Sequence, residues 1–229
     1  MNTQSKDTHL LLPDEIRTYT EGLSYVKDVV GRSGDSVFLF EDRYVLKVSE
    51  KTDGLKREME RTDFLAEHGI PGCRSICFAE EGGRAYYLRT CLRGISLIDR
   101  RYLRDPELLA EKCAEAVNVL KSLDGADCPF CSPDSNGSDF IHGDLCLPNL
   151  YFNEQGKFIG FIDLDGCGKG DRWYDYAWLI WSWRYNLKTT AYDSILLEKL
   201  GIRFSEEQYE RYIPAGCRGS RSAEEKEEK

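Results

Sequence analysis

The chain has 229 residues, 41% hydrophobic and 31% charged, with a formal net charge of −9. That length suits one large domain or two small lobes with a real core. The acidic balance argues against a nucleic-acid partner and would attract a cationic ligand, or serve solubility alone. No apolar run reaches the length of a membrane span. The start, Met1-Asn2-Thr3-Gln4-Ser5-Lys6-Asp7, lacks the basic residues and apolar run of a secretion signal, so a cytoplasmic location without membrane contact is expected. The nine cysteines then read as reduced thiols. Cys128-x-x-Cys131 has no second pair at ligand spacing and only three histidines exist, so zinc is not expected.

In chain order, the first half reads β-rich and the second α-rich. Residues 25–30, 36–40 and 44–48 are short and rich in β-branched and aromatic side chains, as strands are. Glu41-Asp42-Arg43 turns the last two into a hairpin. Residues 55–68 predict a helix that ends near Gly69 and Pro71. Residues 86–90 predict a further strand, followed by a hinge at 91–94. Leu109, Cys113, Ala116, Leu120 and Leu123 recur at helical spacing and predict an amphipathic helix over 107–123. Residues 124–139, rich in Gly, Pro, Ser, Asp and Asn, read as a loop. Residues 149–152 and 158–164 predict a hairpin around Asn153-Glu154-Gln155-Gly156. Residues 173–185 are apolar on most faces and predict a buried helix. Ser205-Glu206-Glu207-Gln208 has the form of a capping box opening a last short helix. A small sheet with one helix, followed by a helical lobe, predicts two lobes. The tail 223–229 reads as a frayed, solvated end.

The chemistry concentrates in His142-Gly143-Asp144-Leu145-Cys146-Leu147-Pro148-Asn149 and, one hairpin later, Phe161-Ile162-Asp163-Leu164-Asp165. Phosphoryl transfer needs phosphates held in line, magnesium to neutralise them, and an acceptor for the substrate hydroxyl's proton. Asp144 offers the acceptor. Asn149 and Asp163 offer oxygen ligands of the kind magnesium takes. The plainer alternative is that Asp144 and Asn149 only close turns; two such motifs in this order, each beside a strand, favour the functional reading. Gly31-Arg32-Ser33-Gly34-Asp35-Ser36 lies between two strands, where small residues let backbone N–H groups approach phosphates. Lys47 shares a strand face with Val45, and is either an edge charge or a phosphate ligand. Glu58, on the next helix, could pair with it or be one more solvated charge.

These residues give the chain a likeness. Residues 141–149, 160–163 and 168–177, with Leu123-Asp124 and Cys128-Pro129-Phe130, resemble the aminoglycoside phosphotransferases. The likeness is strongest to the 3′-phosphotransferases that modify kanamycin-type antibiotics, and runs from about residue 21 to 213. It implies an α+β, two-lobed protein-kinase-like fold: a nucleotide-binding lobe at 1–90, a hinge at 91–94, a catalytic lobe at 95–213 and a disordered tail at 214–229. It implies Asp144 as the catalytic aspartate and Asn149 and Asp163 as magnesium ligands. Lys47, oriented by Glu58, would hold the α- and β-phosphates. Ser33 and Gly34 would cover the phosphates, with Val45 beside the nucleotide and Thr90 and Cys91 presenting backbone groups to the base. Asp171 and Asp175 would brace the catalytic loop. The implied reaction is transfer of the γ-phosphate of ATP, or of GTP, to a hydroxyl of an aminoglycoside antibiotic, a cationic small molecule, at the 3′ position, which would confer antibiotic resistance.

Two departures fall on the acceptor side. The family carries a long, mostly helical insert ahead of its catalytic loop, where only residues 131–141 stand here. It also closes on an acidic-aromatic C-terminus, where this chain has Pro214-Ala215-Gly216-Cys217-Arg218-Gly219. Two alternatives therefore stand beside aminoglycoside transfer: a kinase of another hydroxylated metabolite, and a nucleotide-binding remnant without catalysis.

Overall fold

The structure, a computed structural model, describes residues 11–28, 35–133 and 136–217. The chain divides into two compact units, residues 1–93 and 94–229.

The first unit is built on a five-stranded antiparallel sheet. Its strands are β1 (Tyr25–Asp28), β2 (Ser36–Phe40), β3 (Tyr44–Ser49), β4 (Ser75–Glu81) and β5 (Arg84–Thr90), in the order β1-β2-β3-β5-β4. Two helices, α1 (Asp14–Thr20) and α2 (Thr52–Glu67), supply apolar residues to it. Ile16 of α1 packs with Phe38, Phe40, Leu46, Tyr86 and Leu88. Leu55 and Met59 of α2 pack with Ala85, Tyr87 and Phe78. Leu46 and Lys47, like Tyr86 and Tyr87, therefore point to opposite faces, as strand alternation requires. Helix α2 ends where Gly69 takes a positive φ of 74°. There Ile70 N–H reaches back to Leu65 O and Gly69 N–H to Ala66 O, which satisfies the last carbonyls. The β2–β3 hairpin turns through Glu41 and Asp42, with φ of 47° and 53°. That is the sign of a mirror-image hairpin turn, whose twist matches the flanking strands. Ser24 steadies it by donating its N–H and hydroxyl to Glu41 Oε1.

The second unit begins with β6 (Ile95–Ser96), the short α3 (Arg100–Leu103) and α4 (Pro106–Lys121). Asp105 caps α4 by accepting from Leu108 N–H, and Pro106 fills the first turn, where its missing donor costs nothing. Leu109, Ala110, Cys113, Ala116, Val117 and Leu120 of α4 are buried. Then come β7 (Asp139–Ile141), β8 (Leu150–Phe152), β9 (Phe158–Phe161), β10 (Gly168–Gly170), α5 (Arg172–Leu187), α6 (Asp193–Leu200) and α7 (Glu206–Tyr212). Strands β6-β8-β9 form one small sheet and β10-β7 another. Helix α6 packs on α4, and α7 on α5. Ser205 caps α7 by accepting from Gln208 N–H.

Elements α1, β4, β6, α3, β7, β10 and α6 lie where no element was predicted. Strand β1 is described only to Asp28, since 29–34 lie outside the described residues. Strand β9 ends at Phe161, not Leu164, because Asp163 takes a left-handed φ of 58° that no ladder accommodates. Among the described residues no helix is long and apolar enough to cross a membrane.

Candidate active site

Strand β3 lies inside the sheet, flanked by β2 and β5, so Lys47 is no edge charge. Its Nζ donates to both carboxylate oxygens of Glu58, each at 2.8 Å. The two residues are 9% and 4% exposed. A buried, two-pronged pair of this kind holds its lysine in one position, unlike a surface ion pair. Thr62 Oγ1 donates to Glu58 O at 2.7 Å within α2. Val45, also buried, sits opposite Arg89 of β5. Thr90 N–H is taken by Arg74 O and Cys91 N–H by Arg43 O, both at 2.9 Å. Those two donors are therefore taken, and Thr90 O itself accepts from Arg89 Nη1 at 3.5 Å. Ser33 and Gly34 lie outside the described residues.

In the second unit the segment between β7 and β8 carries His142, Asp144 and Asn149. Helix α5 fixes its start: Asp175 accepts from His142 N–H (2.7 Å) and from Gly143 N–H (2.9 Å). Asp175 is 2% exposed, and burial pushes its carboxyl up to about 6 against the pull of His142 and the two amides. Asp144 N–H donates to His142 Nδ1 at 3.2 Å, so the imidazole proton sits on Nε2 and donates to Ile162 O at 3.1 Å. Gly143 has a φ of 80°, and a Cβ there would stand 2.2 Å from Gly166 O. Only glycine lets the two backbones meet.

The Asp144 carboxylate is oriented from both sides. Cys146 Sγ donates to Oδ1 at 3.2 Å, and Asn149 Nδ2 to Oδ2 at 3.0 Å. Burial, and then the negative Asp144 beside it, push the Cys146 thiol far up, which keeps it a donor. Asn149 Nδ2 also donates to Asp144 O at 3.0 Å. Both its amide protons are thus committed to Asp144, and Oδ1 is the atom left for a cation. Ile162 N–H donates to Asn149 O at 3.1 Å, which brings Asp163 one residue past the position facing Asn149. Asp163 holds its left-handed φ there at a cost of about 1–3 kcal/mol, the kind of strain that accumulates at working sites. Two oxygen donors on adjoining strand ends fit magnesium, which keeps several waters and takes one or two protein ligands. Among the described residues no group of three or more His, Cys, Asp or Glu could hold a metal.

Several contributors escaped the sequence. Ser182 of α5 accepts from Leu147 N–H at 3.0 Å, and Arg172 clasps Asp139 at 2.8 Å. Asp171, which the likeness implies as a brace of the loop, caps α5 and accepts from the Tyr212 hydroxyl, whose pKa burial raises to about 12. A hydroxyl in the apolar run of α5 was the one visible sign of Ser182. Arg89, 5% exposed, stands with Nε 3.9 Å from Glu58 Oε1 and Nη1 2.7 Å from Cys73 Sγ.

Of the connection at 131–141 ahead of the loop, the described residues on either side of 134–135 pack closely by backbone. Ser132 N–H donates to Lys169 O, and Lys169 N–H to Phe130 O. A Cβ on Gly137 would lie 2.4 Å from Gly170 O, and one on Gly125 would lie 2.0 Å from Ser138 O.

A model of the phosphotransferase enzyme family matches residues 26–140 and 133–213, and the two matches meet within this same connection. A probable aminoglycoside 3′-phosphotransferase of Lactococcus lactis is 27% identical over 203 residues, covering 70% of this chain and 76% of that protein. The aminoglycoside 3′-phosphotransferase of Enterococcus faecalis is 25% identical over 252 residues, covering 87% and 95%. That alignment is longer than the 229-residue chain, so the relative has segments without counterpart here. Among solved structures, the aminoglycoside phosphotransferase APH(3'')-Id of Streptomyces rimosus superposes with a TM-score of 0.72 at 21% identity, over 86% of this chain and 93% of that one. The type VIII aminoglycoside-3'-phosphotransferase does so at 0.69 and 21%, over 86% and 94%. Those superpositions carry the α+β, kinase-like fold, and the family match over most of the chain carries the identity: this chain is a member of the phosphotransferase enzyme family.

Proposed function

We propose that the chain transfers the γ-phosphoryl group of ATP, or of GTP, to a hydroxyl of an aminoglycoside, of the 3′ type. The observation that carries this is the Asp144 carboxylate, exposed yet held by Cys146 and Asn149 on a loop anchored to Asp175. An exposed base whose two oxygens are oriented from behind is suited to take or direct the acceptor's proton. Asn149 Oδ1 and Asp163 would hold magnesium, which when bound supplies positive charge against the phosphates. Lys47, kept in place by Glu58, would hold the α- and β-phosphates. Solved relatives carry nucleotides and drugs: one with ADP and streptomycin, another with GDP and kanamycin. The named 3′-phosphotransferases at 24–27% identity support the acceptor class.

The second reading keeps the chemistry and changes the acceptor. The segments that the Enterococcus faecalis relative has without counterpart here favour it, because this chain then has fewer side chains to offer that acceptor. A coupled phosphotransfer assay against an aminoglycoside panel decides between them. Turnover is expected with at least one aminoglycoside, and Asp144→Asn should lower it about 10²–10⁴-fold while nucleotide binding is retained. Full turnover in Asp144→Asn would remove Asp144 from the chemistry. Turnover with other polyols and with no aminoglycoside would establish the second reading.

A further inference from the structure

Glu58 faces two cations. Lys47 takes both its oxygens at 2.8 Å, and Arg89 Nε stands 3.9 Å from Oε1. All three side chains are nearly buried, so these charges act on one another through little water. They reach Glu58 from different elements. Lys47 comes from β3, Arg89 from β5, and Glu58 itself from α2. The register sets Lys47 opposite Tyr87 and Val45 opposite Arg89, so Arg89 stands one alternation along the same sheet face. Its other end is tethered: Nη1 donates to Cys73 Sγ at 2.7 Å, ahead of β4. An arginine anchored through Nη1 to Cys73 and to Thr90 O cannot follow a ligand, but its charge can hold a nearby carboxylate still.

That matters because Lys47 is asked to do two things. On the nucleotide reading above, on which this inference rests, its ammonium must serve Glu58 and the phosphates together. An arriving triphosphate draws Lys47 toward itself and weakens its hold on Glu58. A carboxylate anchored only by that lysine would then be free to shift. We infer that Arg89 is a positioning residue for nucleotide binding: it holds Glu58 as a second cation, so that Lys47 can engage phosphate without loosening the pair. It acts through Glu58 and has no contact with the reacting groups. The guanidinium suits this role, since it stays charged whatever its surroundings and can be anchored through Nη1 while Nε faces the carboxylate.

The test is a double-mutant cycle read by binding of a fluorescent ATP analogue and a fluorescent GTP analogue, with magnesium and no acceptor. Arg89→Met keeps volume and removes charge, and should weaken both nucleotides about tenfold. Arg89→Lys restores a cation and should recover most of that loss. In a Glu58→Gln background, Arg89→Met should change affinity less than about twofold, because the group it positions is already uncharged. Equal losses in both backgrounds, or no loss in Arg89→Met, would overturn the inference. So would an Arg89→Lys protein as impaired as Arg89→Met at matched thermal stability, because that is the signature of packing alone. Should Arg89→Met fail to fold, Cys73→Ala loosens the tether alone and is read in the same cycle. A wild-type chain that binds neither nucleotide would refute the proposed function itself. Nucleotide binding with additive losses refutes only the role of Arg89.

Discussion

Asp175 holds the start of the His142–Asn149 segment by two backbone N–H groups, yet burial makes its charge costly. Folding raises this carboxyl from 3.8 to about 6, so between those values the folded chain holds more protons than the unfolded one. Stability from this group therefore falls as pH rises through that window and levels off above it, by about 3 kcal/mol in all. Urea midpoints measured across the window should show the decline in the wild type and a flatter profile in Asp175→Asn. The variant should also lose about 1–3 kcal/mol, since one amide oxygen cannot serve two N–H donors as well as a carboxylate. Equal slopes in the two proteins would rule out Asp175 as their source. At this scale type and spacing alone singled out Asp144, Asn149 and Asp163, and the structure brings the first two into contact. Cys146, Ser182 and Arg89 were not singled out. Each matters through a partner on another element, and a thiol, a hydroxyl or a strand arginine has no pattern that names its partner.

Helix α4 shows what an element reveals of itself. Its apolar residues recur at helical spacing, its N-cap is Asp105 and its first residue is Pro106, and it forms within two residues of the predicted span. Removing the cap in Asp105→Ala should cost about 1 kcal/mol, read as a lower urea midpoint with an unchanged slope. Strands β2 and β3 were equally legible, since alternation marks them. Strands β7 and β10 were not, because three residues each, two of them glycines in β10, carry no period. Their pairing is decided by contact: Gly168 lets its backbone approach Phe130, and Gly137 lets its backbone approach Gly170. Strand β4 was lost because its two faces are alike in polarity, all partly buried until the final acids. The Glu41-Asp42 turn was placed correctly, but its left-handed backbone was hidden, since neither residue is the Gly or Asn that usually signals it.

For the whole chain, the net charge of −9 sets an expectation for the acceptor. A polycation should be drawn to this protein at low salt, and the attraction should fade as the screening length drops from about 30 Å at 0.01 M toward about 8 Å at 0.15 M. The KM of an aminoglycoside should therefore rise several-fold over that range, while the KM of an uncharged polyol should not. Identical salt dependence for both would separate net charge from acceptor binding.

The sequence by itself determined the reaction class and the broad plan of a β-rich first half and a helical second half. It could do so because catalytic residue types must appear in a set order on one loop and hairpin, and because regular elements repeat with a period. Only the tertiary structure decided how those residues are held: Asp175 under the loop, Cys146 and Asn149 on the two oxygens of Asp144, Arg89 beside Glu58, and glycine against glycine in the short connection. Those are meetings between residues far apart in the chain, and burial and backbone approach, not local pattern, select them.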